Sequence, residues 1–312
     1  MRFYERAVAI EPTYALAHNG IAWVHLLQAA GHGAGAVQPR DAYARAKASV
    51  ERALRFDPLC GDAHGTAAVI KVWMDYDWNG AEASFRRALD LNPGHALTLD
   101  TYALILSAQE RFEEAIAVQQ RARDLDPLAP VISSDLATSY VRASRLDDAR
   151  REAERLIELD PTFPYGHSVL GWTLIFTGQF ADGLDELRQA IALSPGNTIF
   201  LAQLGEALGL TGDSGQASQV LDQLERLARE RYVAPYHFAY TYAGLGEHER
   251  AIDLLEQAVE ERAGGVYGIK GSFLFTPLRQ HARFRALLRR MNLDDRFRSS
   301  GPTIPTGSQA QR

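Results

Sequence analysis

Cysteine, lysine and long apolar runs are all scarce in this 312-residue chain. The one cysteine, Cys60, excludes an internal disulfide and any zinc cluster built on several thiolates. An excess of basic charge is missing as well. With 33 basic against 39 acidic residues the formal charge is −6, so no overall field collects phosphate and nucleic-acid binding by this segment is not expected. Charged or turn residues interrupt every apolar stretch before it reaches the roughly 20 residues of a membrane span. The stretch from Met1 to Pro12 lacks the apolar block and small-residue cleavage site of a signal peptide. These absences predict a soluble protein of a reducing compartment, expected in the cytoplasm, without a membrane partner. Length alone would suggest two domains.

What is present is a repeat. Prolines that follow an acidic or small polar residue recur at Pro58, Pro93, Pro127, Pro161 and Pro195, with spacings of 35, 34, 34 and 34 residues. Small residues at Ala81, Ala115, Ala149, Gly183, Ala217 and Ala251 step by 34 without a slip, and Gly178, Gly212 and Gly246 share that period. Within a unit the apolar residues have helical spacing: Leu99, Tyr102, Ala103 and Leu106, then Phe112, Ala115, Ile116 and Ala122 after a break at Glu110 and Arg111. Each unit is therefore read as two antiparallel helices. Small residues such as Gly171, Gly205, Ala88, Ala122, Ala190 and Ala258 let the axes approach, and the proline ends the second helix. Gly178, Gly212 and Gly246 suit a left-handed turn between the helices.

The sets Leu201, Leu204, Gly205, Leu208 with Gly212, Ala217, Leu221, and His167, Leu170, Gly171, Leu174 with Gly183, Leu187, Ala190, Pro195 resemble the tetratricopeptide repeat. The resemblance implies an all-α, right-handed superhelical solenoid. Its register gives a half unit at 1–14, seven units over 15–265, a capping segment at 266–298 and a disordered tail at 299–312. The first full unit carries an insertion near 31–42. The junction Asp75 to Trp78 and the run Phe275 to Met291 are similar to the C-terminal repeat regions of bacterial multidomain signalling proteins, in which such arrays follow winged-helix, adenylate cyclase or Ser/Thr kinase domains.

The register also places Met1 inside the second helix of a unit whose first helix is missing. Phe3, Tyr4, Ala7 and Val8 are expected on its inner side, open to water or a partner, because a solenoid repeat buries that side only against its own unit and the next. A fragment of a longer protein is one expectation; self-association through the incomplete repeat is the other.

Catalytic chemistry is sparse. Nine histidines form no HExxH and no spaced metal cluster, so neither metal nor cofactor is expected, and no nucleophile has an identifiable base. The Gly31 to Gly35 stretch lacks the GK[ST] ending of a phosphate loop. Arg279, Arg283, Arg285, Arg289, Arg290, Arg296 and Arg298 read as a solvated face of the capping helix, with contact to phosphate or an acidic partner as the alternative. Family positions carried onto this chain place Trp23, Ile70, Trp73, Leu104, Asp135, Thr138, Arg142, Trp172, Phe176, Gln203, Glu206, His237 and Tyr240 in or near the concave groove. The resemblance then implies a non-enzymatic scaffold that takes a protein or peptide on that face, or alternatively a module that senses a small molecule and controls an attached effector.

Overall fold

The computed structural model describes residues 1–30, 36–294, 296, 298 and 301–305; the Gly31 to Gly35 stretch, and the expected tail apart from 301–305, lie outside the described residues. Sixteen α-helices follow one another among the described residues, and no strand occurs there. They are α1 (Arg2–Ile10), α2 (Ala15–Ala29), α3 (Pro39–Phe56), α4 (Gly61–Ile70), α5 (Trp78–Leu91), α6 (Ala96–Ala108), α7 (Phe112–Leu125) and α8 (Pro130–Arg142). Then come α9 (Leu146–Leu159), α10 (Pro164–Phe176), α11 (Phe180–Leu193), α12 (Thr198–Leu210), α13 (Ser214–Glu230), α14 (Pro235–Gly244), α15 (His248–Glu261) and α16 (Ala282–Arg290). A π-helical turn, Lys71–Asp75, prolongs α4, and two 3-10 turns, Gly264–Gly268 and Phe273–Leu278, connect α15 to α16.

From α2 to α15, helices alternate between an inner and an outer layer. Burial shows why: α10 buries eleven of its thirteen residues, whereas α11 buries only Gly183, Leu187 and Ala190. An inner helix packs on both neighbours and its own partner, so it reads as apolar all round; an outer helix keeps one apolar stripe. The residues expected at close helix approaches are there. A Cβ on Gly171 would lie 2.8 Å from the Gly183 carbonyl oxygen, and Ala88, Ala122, Ala190 and Ala258 are all essentially fully buried.

One turn geometry recurs through the array. Gly178, Gly212 and Gly246 have φ of 84°, 94° and 76°, and Tyr76, Glu110 and Ser144, which continue the same 34-residue series backwards, have φ of 53°, 60° and 59°. In five of the six turns the following amide bonds the carbonyl five residues back, as Gln179 N does to Leu174 O at 2.8 Å, so the last carbonyls of each inner helix are satisfied. The π turn shifts the sixth: Asp77 N reaches Lys71 O, six residues back. Left-handed backbone costs an L-residue with a Cβ about 1 kcal/mol. Ser144 is exposed, so Ser144→Gly is expected to stabilise the chain by about 0.5–1 kcal/mol, read as a rise in the denaturant midpoint at unchanged slope.

The opposite turns, between outer and inner helices, use histidine. His18, His64 and His167 each place Nε2 2.8–3.1 Å from the carbonyl of the turn proline six residues earlier. That gives these side chains a structural task. No group of three or more potential metal ligands occurs among the described residues, and no helix there is long and apolar enough to cross a membrane.

The array curls until its ends meet. Arg40 Nη2, at the start of α3, donates to Glu260 O at the end of α15 at 2.9 Å, and Gly264 lies against Ala30. At the first helix the apolar side is open, in line with the expectation: α1 buries no residue, Ala7 and Val8 are half-buried, and Phe3 is 84% exposed. The contacts of α1 are with α2, where the Tyr4 ring lies against Gly20. Of the expected tail, 301–305 are described, and Gly301 and Pro302 are buried.

Candidate functional site: the inner wall and the segment within it

The inner helices form a wall, and the chain's own residues 264–278 lie against it. Tyr267 stacks on Trp73 with ring centroids 5.5 Å apart. Phe273 meets Trp172 and Phe176 edge-on at 5.3 Å each, and Phe275 stacks on Tyr240 at 4.8 Å. Gly265 touches the Tyr236 ring, and a Cβ at Gly271 would overlap the Ser107 carbonyl oxygen, so backbone lies on backbone there. The contacts thus fall on α4's π turn, α6, α10 and α14. Each aromatic pair adds about 0.5–1.5 kcal/mol beyond area burial.

The strained turns sit where this segment and its continuation are anchored. Tyr76 carries Arg262 over its ring at 4.2 Å and accepts from Asn292 through its carbonyl at 3.2 Å. Glu110 pairs with Arg279 at 3.3 Å, both side chains buried, and accepts from the Arg298 amide at 2.8 Å. Trp78 Nε1 donates to Met291 O at 2.8 Å. At positions where later units use glycine, the chain bears left-handed strain to place side chains that hold its own C-terminal region.

Most candidate groove residues are therefore not free surface. Ile70, Trp172, Phe176, Glu206, His237 and Tyr240 are buried, which corrects the expectation of an open groove: Phe273, Phe275 and neighbouring helices cover them. Trp23, Trp73, Leu104, Asp135, Thr138, Arg142 and Gln203 are half-buried. Within this set Arg142 Nη1 donates to Ser107 Oγ at 3.0 Å, Thr138 Oγ1 to Ser134 O at 2.9 Å, and Ser168 Oγ to Gln203 Oε1 at 2.6 Å. His237 packs edge-on against Tyr236. The arginine-rich run is corrected in part, since Arg289 and Arg290 are exposed as expected. Arg279 is buried on Glu110, and Arg283 is held by Glu249, Asp253 and Glu256 of α15, so neither is a free solvated charge. Sequence reasoning missed Tyr76, Ser107, Glu110 and Tyr236. The 34-residue series would have put the first and third in register with the turn glycines.

The wall holds acids with displaced proton affinities. Burial raises Glu206 well above the ordinary glutamate range, and neither of its carboxylate oxygens has a hydrogen bond. Burial likewise raises Asp135 to about 6, and Asp100, beside it, well above the ordinary aspartate range. Such a group takes up a proton on folding. Its contribution is fully present below the unfolded value of about 4 and is lost as pH rises through the folded value. Stability is therefore expected to fall between pH 4.5 and 7, and Glu206→Gln to flatten that slope and add about 1 kcal/mol at pH 7. Urea melts at pH 5 and 7 for both chains check this.

The other titratable candidate is quiet. Cys60 is buried and burial pushes its thiol up, which suits a small core residue and not a nucleophile.

The geometry defines a class first: a solenoid of antiparallel helix pairs with an occupied inner wall. Models of the tetratricopeptide repeat match residues 77–130, 106–172, 164–189, 199–223 and 236–263. Together these span more than half of the chain, and it belongs to the tetratricopeptide repeat family. No curated protein sequence matches it. Among solved structures, the human IFIT1 dimer with m7Gppp-AAAA superposes with a TM-score of 0.59 at 15% identity, over 89% of this chain and 69% of that one. A tetratricopeptide repeat protein from Parabacteroides merdae ATCC 43184 gives 0.53 at 14% identity, over 71% and 88%. PilW, a type IV pilus biogenesis factor, gives 0.51 at 20%, over 68% and 92%. At these identities the fold is what is shared.

Proposed function

We propose that the chain is a non-enzymatic protein-interaction scaffold that takes a peptide or protein on its concave face. In this reading it is the regulatory or partner-recruiting part of a bacterial signalling or transcription-regulating protein, organised as a half unit, seven units over 15–265 and a C-terminal cap. One observation carries the reading: the wall formed by α4, α6, α10 and α14 already accommodates a chain segment through aromatic anchors at Trp73, Trp172 and Tyr240. A surface that holds one aromatic-bearing segment has the chemistry to hold another. Solenoids present extended binding surfaces of this kind on their inner helices.

The test is a 16-residue random peptide display library panned on the full chain, with a photo-crosslinking residue at Thr138. Cross-links from selected peptides to residue 138 support the reading. Selected peptides that cross-link only from residues on α9 or α11, or no selection at all, contradict it.

A second reading, a small-molecule sensor, draws on a cleft of about 360 Å³ lined by Asp75, Asp77, Gln109, Lys270, Asn292 and Arg298, a volume within the usual ligand range. A metabolite that raises the melting temperature, with the shift abolished by Asp77→Asn, would favour it over the scaffold.

A further inference from the structure

Residues 264–278 satisfy the apolar demands of the inner wall but not its polar ones. Trp73 Nε1, Arg142 Nε and Trp172 Nε1 have no hydrogen-bond partner among the described residues, although Trp172 is 1% exposed and stands against Phe273. Three N–H donors are thus buried unpaired on the face that the segment covers, where partners are the rule.

The reason lies in the segment's conformation. Its two 3-10 turns close on themselves and their flanking residues, which uses carbonyls of the segment locally: Val266 O accepts from Ile269 N and Thr276 O from Arg279 N, while Val266 N donates to Ala263 O. An extended chain makes no such internal bonds and presents its carbonyls outward. With aromatic side chains in the places of Tyr267 and Phe273 it would keep the stacking and add acceptors for the three donors.

We infer that residues 264–278 are a built-in stand-in for an external ligand, and that the ligand is an extended peptide with two aromatic anchors that displaces them. The inference rests on the concave-face reading above and names its ligand chemistry and its regulation. Tyr267 and Phe273 are six residues apart in a partly coiled path. An extended strand rises about 3.3 Å per residue against about 2 Å in a 3-10 turn, so its anchors stand fewer than six residues apart. The segment has the advantage of being tethered, which sets a high effective concentration and keeps the wall closed to weak binders.

Trypsin reads the displacement directly, because Lys270 is 2% exposed in the closed state. Cleavage after Lys270 tracks the population in which the segment is out. Gly271→Ala, whose Cβ would overlap Ser107 O, leaves the wall's own side chains intact, and cleavage is expected to be about tenfold faster than in the unaltered chain. Synthetic 16-residue peptides selected on Gly271→Ala should carry two aromatic residues fewer than six apart, bind that variant about tenfold more tightly than the unaltered chain, and lose binding when either aromatic becomes alanine.

If Gly271→Ala loses its cooperative melt, Phe273→Ala, which removes a half-buried ring, replaces it. Loss of cooperative folding in both variants would show the segment to be part of the folding core and would overturn the inference. A folded Gly271→Ala that is cut no faster would overturn it too. Peptides that cross-link to residue 138 without speeding cleavage after Lys270 would leave concave-face capture standing and remove displacement. Fast cleavage in Gly271→Ala with no peptide selected would overturn both.

Discussion

Gly244→Val is expected to destabilise the chain by about 3 kcal/mol or more, enough to shift the urea midpoint well below that of the unaltered protein. The end of α14 crosses α12 backbone to backbone. A Cβ at Gly244 would overlap the Glu206 carbonyl oxygen and lie 2.7 Å from the Glu206 Cα, and a Cβ at Gly209 would lie 2.5 Å from the Gly244 carbonyl carbon. Neither neighbour is the end of a flexible side chain, so relief requires the two helices to part. Parting them also lifts Tyr240 from Phe275 and exposes the Glu206 carboxyl. The contrasting control is Gly268→Ala, where nothing lies near the added carbon. It is expected to stay within about 0.5 kcal/mol of the parent. Equal midpoints for Gly244→Val and the parent would remove the close crossing of α12 and α14.

The second large effect concerns the buried pair that fastens the C-terminal region. Arg279→Met is expected to cost about 3–5 kcal/mol, because it leaves the Glu110 carboxylate buried with the Arg298 amide and the more weakly felt charges of Lys270 and Arg298 to balance it. Burial already pushes the Glu110 carboxyl up and the Arg279 guanidinium down, so each ion depends on the other. The double variant Glu110→Met with Arg279→Met removes both charges and should recover most of the loss. A double-mutant cycle in urea gives the coupling. A cycle with no coupling would mean that the pair is solvated and that Arg279 sits on an outer face after all.

Much of the architecture was legible in the residues because a solenoid writes its period into the chain. The proline and alanine series fixed the alternation of helices, since each repeat must end the outer helix and admit a close approach at the same place. Gly178, Gly212 and Gly246 announced their left-handed turns. Tyr76, Glu110 and Ser144 did not, because local preference argues against positive φ at a residue with a Cβ and only their register betrays it. The π turn before Tyr76 has no signature in the spacing of apolar residues.

The inner wall was legible in part. Family register brought Trp73, Trp172, Phe176 and Tyr240 to one surface, and the structure does set all four against residues 264–278. What register could not convey is that the chain returns to fill that surface. The segment from Gly264 to Leu278 has neither helical nor strand periodicity, and its placement depends on contacts with residues far earlier in the chain, such as Tyr267 on Trp73 and Gly264 on Ala30. No local pattern encodes such a contact. The same holds for Glu110 and Arg279, which read in isolation as an exposed turn residue and a solvated arginine.

Occupancy of the inner wall by residues 264–278 underlies both the proposed scaffold function and its regulation. The most direct measurement replaces Phe273 with a benzophenone-bearing phenylalanine analogue in the full chain, irradiates it, and maps the cross-link by mass spectrometry. The prediction is an intramolecular link to the α10 stretch that contains Trp172 and Phe176, which lie 5.3 Å away. Links to the outer helices, links only between separate chains, or none would contradict it and return the wall to solvent.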